Sequence, residues 1–205
     1  MAKIKLTKGE LKKQRDALKQ FRRYLPTLQL KKQQLQMKIL ETRRTLQERF
    51  AEFSKLEGAI KEWVGLLADT SVPIKEWLTP IDIIVKTANI AGANIPVFDD
   101  VHFHQPEYDY FQTPLWLDVG IENLRLLVEA LVEIDVIKKQ IAILEKELRT
   151  TTQRVNLFEK VKIPECLENI RKIGINLGDQ QANAVGISKV AKKKVEQQNL
   201  EFVGV

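Results

Sequence analysis

The sequence predicts a mainly α fold: a long two-helix antiparallel left-handed coiled coil with a short insert containing a β-hairpin. Three observations carry this. Apolar residues recur on a strict seven-residue count from Leu11 to Leu67, a second such series runs from Leu127 to Phe158, and the stretch between them is proline-rich with strand-like alternation. A sustained heptad repeat drives a left-handed supercoil with a partner helix.

In the first helix, one series (a) holds Leu11, Leu18, Leu25, Ile39, Leu46, Phe53, Ile60 and Leu67. The series three places on (d) holds Phe21, Leu28, Leu35, Leu56 and Trp63. Large apolar side chains thus fill 13 of 17 seam positions, and Gln14, Lys32, Thr42 and Arg49 interrupt them. At about 1.5 Å per residue such a helix is on the order of 85 Å long, the dimension of a strut, axle or lever. Thr7 with Glu10 has capping-box spacing and should start it. Pro26 removes one backbone donor and should bend the helix without ending it, because the heptad phase passes through unshifted. Residues 1–68 are therefore read as the N-terminal coiled-coil helix, ended by Asp69-Thr70-Ser71 and Pro73.

Residues 69–113 form the insert. Ile81, Ile83 and Val85 alternate with Asp82, Ile84 and Lys86, as in a strand. Ala91-Gly92 is a turn signal within Asn89–Asn94, and Ile95-Pro96-Val97-Phe98 is a second extended piece. A lone hairpin is marginal in water, so it should pack on the coil or a partner. The run from His102-Phe103-His104 to Tyr110-Phe111 reads as an aromatic loop. Trp63, Trp77 and Trp116 cluster around the insert and should form the core where it meets the coil.

Residues 114–205 form the C-terminal helix. Thr113 suits an N-cap and Pro114 the first helical position. The seam reads Leu127, Ile134, Ile141, Leu148 and Val155, with Ile137, Leu144, Thr151 and Phe158 as companions. Beyond Phe158 the phase slips, and Pro164 predicts a kink within a stretch whose apolar face continues through Leu167, Ile170, Ile173 and Leu177. From Gly174, with Gly178 and Gly186 among Asn and Gln residues, the helix should be soft or interrupted, since each interior glycine costs about 1 kcal/mol relative to alanine.

Composition narrows the function classes. The chain is 44% hydrophobic and 29% charged, neither disordered nor membrane-spanning in character. The N-terminal residues lack the apolar core of a signal peptide. The single cysteine, Cys166, excludes an internal disulfide framework and reads as a small buried seam residue. Residues 1–60 carry 16 Lys/Arg against 6 Asp/Glu, whereas residues 69–113 carry 2 against 7. A basic helix either keeps a long coil solvated or attracts an acidic partner surface. No nucleic-acid module, phosphate loop, dinucleotide fingerprint or nucleophile–base pattern is present. His102 and His104 lie two apart with no further ligand near them, so no metal or cofactor is expected.

Particular residues then point to a family. Arg154-Val155-Asn156-Leu157-Phe158-Glu159, Ile163-Pro164 and Leu167-Glu168-Asn169-Ile170-Arg171-Lys172-Ile173 closely resemble the C-terminal helix of the D subunit of V-type and archaeal-type rotary ATPases. Asn89 to Phe98 is similar to that family's mid-chain segment, and Leu6-Thr7-Lys8 with Leu11 and Leu18 to its N-terminus. The resemblance implies a non-catalytic central-stalk rotor. Its paired termini would enter a hexameric catalytic head built of A and B subunits, with the small F subunit clamping the coil. A funnel-shaped subunit would join the far end to a membrane ring carrying H⁺ or Na⁺. The complex would be peripheral on the cytoplasmic face of the membrane, without direct insertion of this chain. The charge asymmetry marks Arg15, Arg22, Lys192, Lys193 and Lys194 as candidate contacts with acidic head surfaces. Asn89, Gly92 and Pro96 mark a hairpin expected to tune activity. Two segments depart from the family pattern: Lys31-Lys32-Gln33-Gln34, and Gly178 to Asn183, where a strongly charged helix is usual. A generic coiled-coil adaptor or tether is the alternative; it accounts for the seam but not for residues 154–173.

Overall fold

A computed structural model describes residues 4–68, 74–105, 109 and 113–203. Asp69, Thr70, Ser71 and Pro73, read as the end of the first helix, and Tyr110 and Phe111 of the aromatic loop lie outside the described residues. The elements are α1 (Lys8–Lys61), a 3₁₀ turn (Val64–Ala68), α2 (Ile74–Leu78), β1 (Pro80–Ile90), β2 (Ala93–Phe103), α3 (Leu117–Asn156), a π-helical segment (Leu157–Lys162) and α4 (Ile163–Val203). The fold is mainly α, coiled-coil in character, with one antiparallel two-stranded hairpin. The chain divides into two compact units, residues 1–29 with 153–205, and residues 30–152.

In the first unit, Thr7 caps α1: its Oγ1 accepts the Glu10 N–H at 3.3 Å. The reciprocal arm of the capping box is not made, because Glu10 Oε1 accepts from Gln14 Nε2 at 2.9 Å instead. The helix continues through Pro26. Arg22, whose carbonyl loses the donor that Pro26 lacks, lies on an exposed face where water can replace it. The Phe21 and Phe158 rings meet at 5.0 Å, and Asn169 Nδ2 points to Gln14 Oε1 at 3.5 Å, so α1 faces an antiparallel partner here.

The phase slip has a structural cause. Pro164 cannot donate to the carbonyl four residues back, and the preceding turn widens to π geometry, with the Ile163 N–H bonding the Phe158 carbonyl. A π turn holds one extra residue. Counting on from Thr151 and Phe158, the seam would next fall at Glu165 and Lys172, yet the buried residues are Cys166 and Ile173, one place later. α4 then stays helical through Gly178 and Gly186 to Val203.

In the second unit, the seam residues Leu35, Ile39 and Leu144 are buried together with Ala93 and Ile95 of β2. The hairpin therefore packs on the coil, as a marginal two-stranded sheet requires. Two of the polar interruptions are accommodated locally: Thr42 Oγ1 donates to the Lys38 carbonyl at 2.8 Å, and Arg49 turns outward to Glu133 at 3.0 Å and Glu52 at 2.8 Å.

Three boundaries differ from the sequence reading. The first helix was expected to reach Ala68, but the α-helix ends at Lys61 and tightens to 3₁₀, with the Leu66 N–H bonding the Trp63 carbonyl at 2.9 Å. Trp63 there meets Trp116 at 6.4 Å. Gly120 permits this approach, since a Cβ at that position would lie 2.9 Å from the Trp116 ring. Thr113 was expected to cap the second helix; its hydroxyl instead donates to the Asp109 carbonyl at 2.9 Å, and the helix begins at Leu117. His102 and Phe103 were read as loop but pair within β2, opposite Asp82 and Pro80, and Arg125 lies 5.4 Å over the Phe103 ring.

Candidate partner-binding surface

The hairpin is closed by Ala91 and Gly92, both at positive φ, 50° and 79°. Two successive left-handed residues make a type I′ turn, whose twist matches that of paired strands. Asn89 secures it from one side: its Oδ1 accepts the Gly92 N–H at 3.1 Å, and its Nδ2 donates to Asn94 Oδ1 at 2.6 Å. Asn89 and Gly92 are thus brought together, while Pro96 lies further along β2 opposite Thr87. The turn sits beside an ion pair across the coil, Lys31 Nζ to Glu147 Oε1 at 2.7 Å; a Cβ on Gly92 would lie 3.6 Å from Lys31 Nζ. Ile81, Ile83 and Val85 on β1 stay exposed.

The basic candidates lie elsewhere. Arg15 and Arg22 are exposed on α1, and Lys192, Lys193 and Lys194 are exposed on α4, with Lys192 only 3.8 Å from Glu196. They do not form one patch. Arg15 adjoins Gln14, which faces Asn169; Lys192 is 23 residues beyond Asn169, roughly 35 Å along a helix. They do share one unit, which carries 18 Lys/Arg against 8 Asp/Glu, while residues 30–152 carry 15 against 19.

The hydrogen bond from Lys172, and then its charge, hold the Glu168 carboxyl below its usual range. Burial, and then the charge of Glu165, push the Cys166 thiol up; Lys162 opposes this weakly. Cys166 is buried and unpaired. An open groove beside it is lined by Leu6, Gln14, Val161, Pro164, Glu168 and Asn169. Among the described residues, no three His, Cys, Asp or Glu side chains gather as metal ligands, and no helix is long and apolar enough to cross a membrane.

The surface features are therefore, in residues 30–152, a hairpin with a hydrogen-bonded turn and, in the other unit, exposed basic residues and a long exposed helix end. The profile of the family described as the ATP synthase D subunit matches residues 10–193. The chain belongs to that family. A V-type ATP synthase D subunit from Borreliella burgdorferi is 47% identical over 199 residues, covering 97% of this chain and 98% of the relative. One from Chlamydia trachomatis serovar L2 is 34% identical over 201 residues, 96% and 98% of the two chains. One from Chlamydia pneumoniae is 33% identical over 198 residues, 94% and 93%. The similarity is thus end to end, taking in the hairpin as well as both seams. Sequence reasoning brought Trp63 and Trp116 together but missed the exposed β1 face, the place of Gly120 against the indoles and the π segment; of these, only the last left a signal, the phase slip after Phe158.

Proposed function

We propose that the chain is the non-catalytic central-stalk axle of a V/A-type rotary ATPase or ATP synthase. It would couple ATP synthesis or hydrolysis in the catalytic head to H⁺ or Na⁺ transport, binding no nucleotide, metal or other cofactor itself. The observation that carries this reading is α4 beyond Leu177. From Gly178 to Gln197 every side chain is exposed, including the large apolar Val185, Ile187, Val190 and Val195. A solitary helix with glycines in it is marginal in water, because most helical stability in proteins comes from packing. Such a helix suits a surrounding sleeve. A hexamer of A and B subunits would supply one, and an asymmetric rod within it biases each catalytic site differently.

The charge distribution supports the same placement: the strongly basic unit is the one that carries the exposed helix end. Val64, Leu66, Leu115 and Val119 near the insert are exposed apolar residues that suit cover by the funnel-shaped subunit, and the small F subunit would clamp the coil. The complex would sit on the cytoplasmic face of the membrane. The hairpin around Asn89, Gly92 and Pro96 would tune turnover, and Arg15, Arg22 and Lys192 to Lys194 would meet acidic head surfaces.

The test is affinity purification of the tagged full chain from its own cytoplasm and membranes. Two abundant head chains, one small subunit and Mg-ATPase activity in the eluate are expected. Recovery of the chain alone, or with unrelated cargo, would overturn the reading in favour of an adaptor.

A further inference from the structure

We propose that the outer edge of β1, from Val85 to Asn89, accepts an extended segment of another subunit, which adds to the hairpin as a third strand. This rests on the chain working within a multisubunit complex, not on its turning there.

The turn fixes which backbone groups point where. In a two-residue type I′ hairpin the residues flanking the turn, here Ile90 and Ala93, exchange both ladder hydrogen bonds. Bonded pairs then alternate: Ala88 with Ile95 and Lys86 with Val97 face inward. The pairs Asn89–Asn94, Thr87–Pro96 and Val85–Phe98 turn their N–H and carbonyl groups outward.

The two outer edges are treated differently. Pro96 falls on an outward position of β2, so its missing N–H costs the ladder nothing and removes a donor from that edge. A register shift beyond it, where Ile84 pairs with Asp100 and Val85 with Phe98, bulges β2 further. These are the usual means by which proteins make an edge unreceptive. The corresponding stretch of β1 has neither proline nor extra residue. Val85, Thr87 and Asn89 are exposed. Among the described residues, no backbone bond reaches them from outside the hairpin.

The open edge borders a groove lined by Gln34, Met37, Lys38 and Glu41 of α1 with Asn89, Ile90 and Ala91. Met37, within that groove, is 73% exposed. A strand added to β1 would place side chains of one face over Met37, so the incoming segment carries an apolar residue on that face. Main-chain bonds would supply affinity and contact with Met37 the selectivity. Relatives across the family are subunits of a larger assembly, which supplies a different chain as the neighbour.

Amide hydrogen exchange on the intact complex and on the isolated chain tests this. The inward amides of Lys86, Ala88 and Ile90 should be protected in both. The outward amides of Val85, Thr87 and Asn89 should slow by roughly tenfold or more, the scale of one net hydrogen bond, only in the complex. Thr87→Pro removes one outward donor while leaving the ladder intact. It should keep the helical circular dichroism yet lower incorporation into the complex several-fold, with Thr87→Val behaving as wild type. Equal outward exchange in complex and isolated chain, or full incorporation of Thr87→Pro, would overturn the inference alone. Outward protection already present in a dimeric isolated chain would overturn it in favour of a second copy. Failure of any other chain to co-purify would overturn the complex itself.

Discussion

The ring of Phe21 lies 5.0 Å from that of Phe158 at 42°, and Phe158 belongs to the π-helical segment where the second seam shifts by one residue. The pair bridges the two helices where their packing register must change. Tilted aromatic pairs contribute about 0.5–1.5 kcal/mol beyond area burial. Both rings are only half-buried, so Phe158→Ala should cost roughly 2–3 kcal/mol, below the range for fully buried rings. Phe158→Leu, which keeps most of the volume, should cost under about 1.5 kcal/mol. Urea unfolding of the chain reads both, and a wild-type midpoint for Phe158→Ala would show that the ring contact contributes nothing.

Seam positions should differ by burial rather than by heptad letter. Leu35 is fully buried under the hairpin, so Leu35→Ala should cost roughly 2–5 kcal/mol. Arg49 is also a seam residue, but it points outward to Glu133 and Glu52, and those contacts raise its pKa, the Glu52 hydrogen bond first. Exposed pairs contribute only about 0–1 kcal/mol, so Arg49→Met should fall within that range. A double-mutant cycle with Glu133→Gln measures the pairing; a coupling well above about 1 kcal/mol would contradict this account.

These two positions show what the sequence made legible. Leu35 and Arg49 both sit on the seven-residue count, and the count found the long helices and the face they pack. It could not show that Arg49 swings out, because an arginine reaches an ion pair across the coil only where a particular carboxylate stands opposite. The hairpin turn was legible from Ala91-Gly92, but its strands reach further, to Pro80 and Phe103, because pairing across the turn extends order into residues of weak strand propensity. The site residues were legible only as types. Asn89 and Gly92 meet in the turn, whereas Arg15 and Lys192 are placed by helix length, which no motif encodes.

Gly120 offers a test inside α3. A glycine-to-alanine change inside a helix should stabilise it by about 1 kcal/mol. Here the new Cβ would lie 2.9 Å from the Trp116 ring and 3.6 Å from Trp63. Overpacking of this kind costs roughly 1–3 kcal/mol, so Gly120→Ala should be net destabilising and should shift the tryptophan fluorescence. A more stable variant with unchanged emission would show that the two indoles move apart freely.

Cys166 should make stability fall at alkaline pH. Burial pushes its thiol above the ordinary value of about 8.5. A folded-state pKa raised above the unfolded one gives a contribution fully present below about pH 8.5 and lost as pH rises through the folded value. Between neutral pH and the pKa of the folded thiol, the wild type should therefore lose more melting temperature than Cys166→Ala. Native Cys166 should also react slowly with a disulfide reagent and quickly once unfolded, because the thiolate is the nucleophile. Parallel pH profiles of the two proteins would remove the thiol as the cause.

The end of α4 should be the least protected helix in the isolated chain. Up to Leu177 the helix has a packed face, with Cys166, Asn169 and Ile173 buried. From Gly178 to Gln197 it has none, and Gly178 and Gly186 each weaken it by about 1 kcal/mol relative to alanine. Opening there breaks only intrahelical bonds, so its free energy should be near zero, whereas amides around Leu144 open only with the global fold. Exchange should therefore step up sharply after Leu177. Packing inside a sleeve would supply the missing tertiary contacts, so the same amides should become slow in the assembled complex. Uniform protection along α4 in the isolated chain would mean that the helix is stable alone, and exposure would then give no reason to expect an enclosing partner.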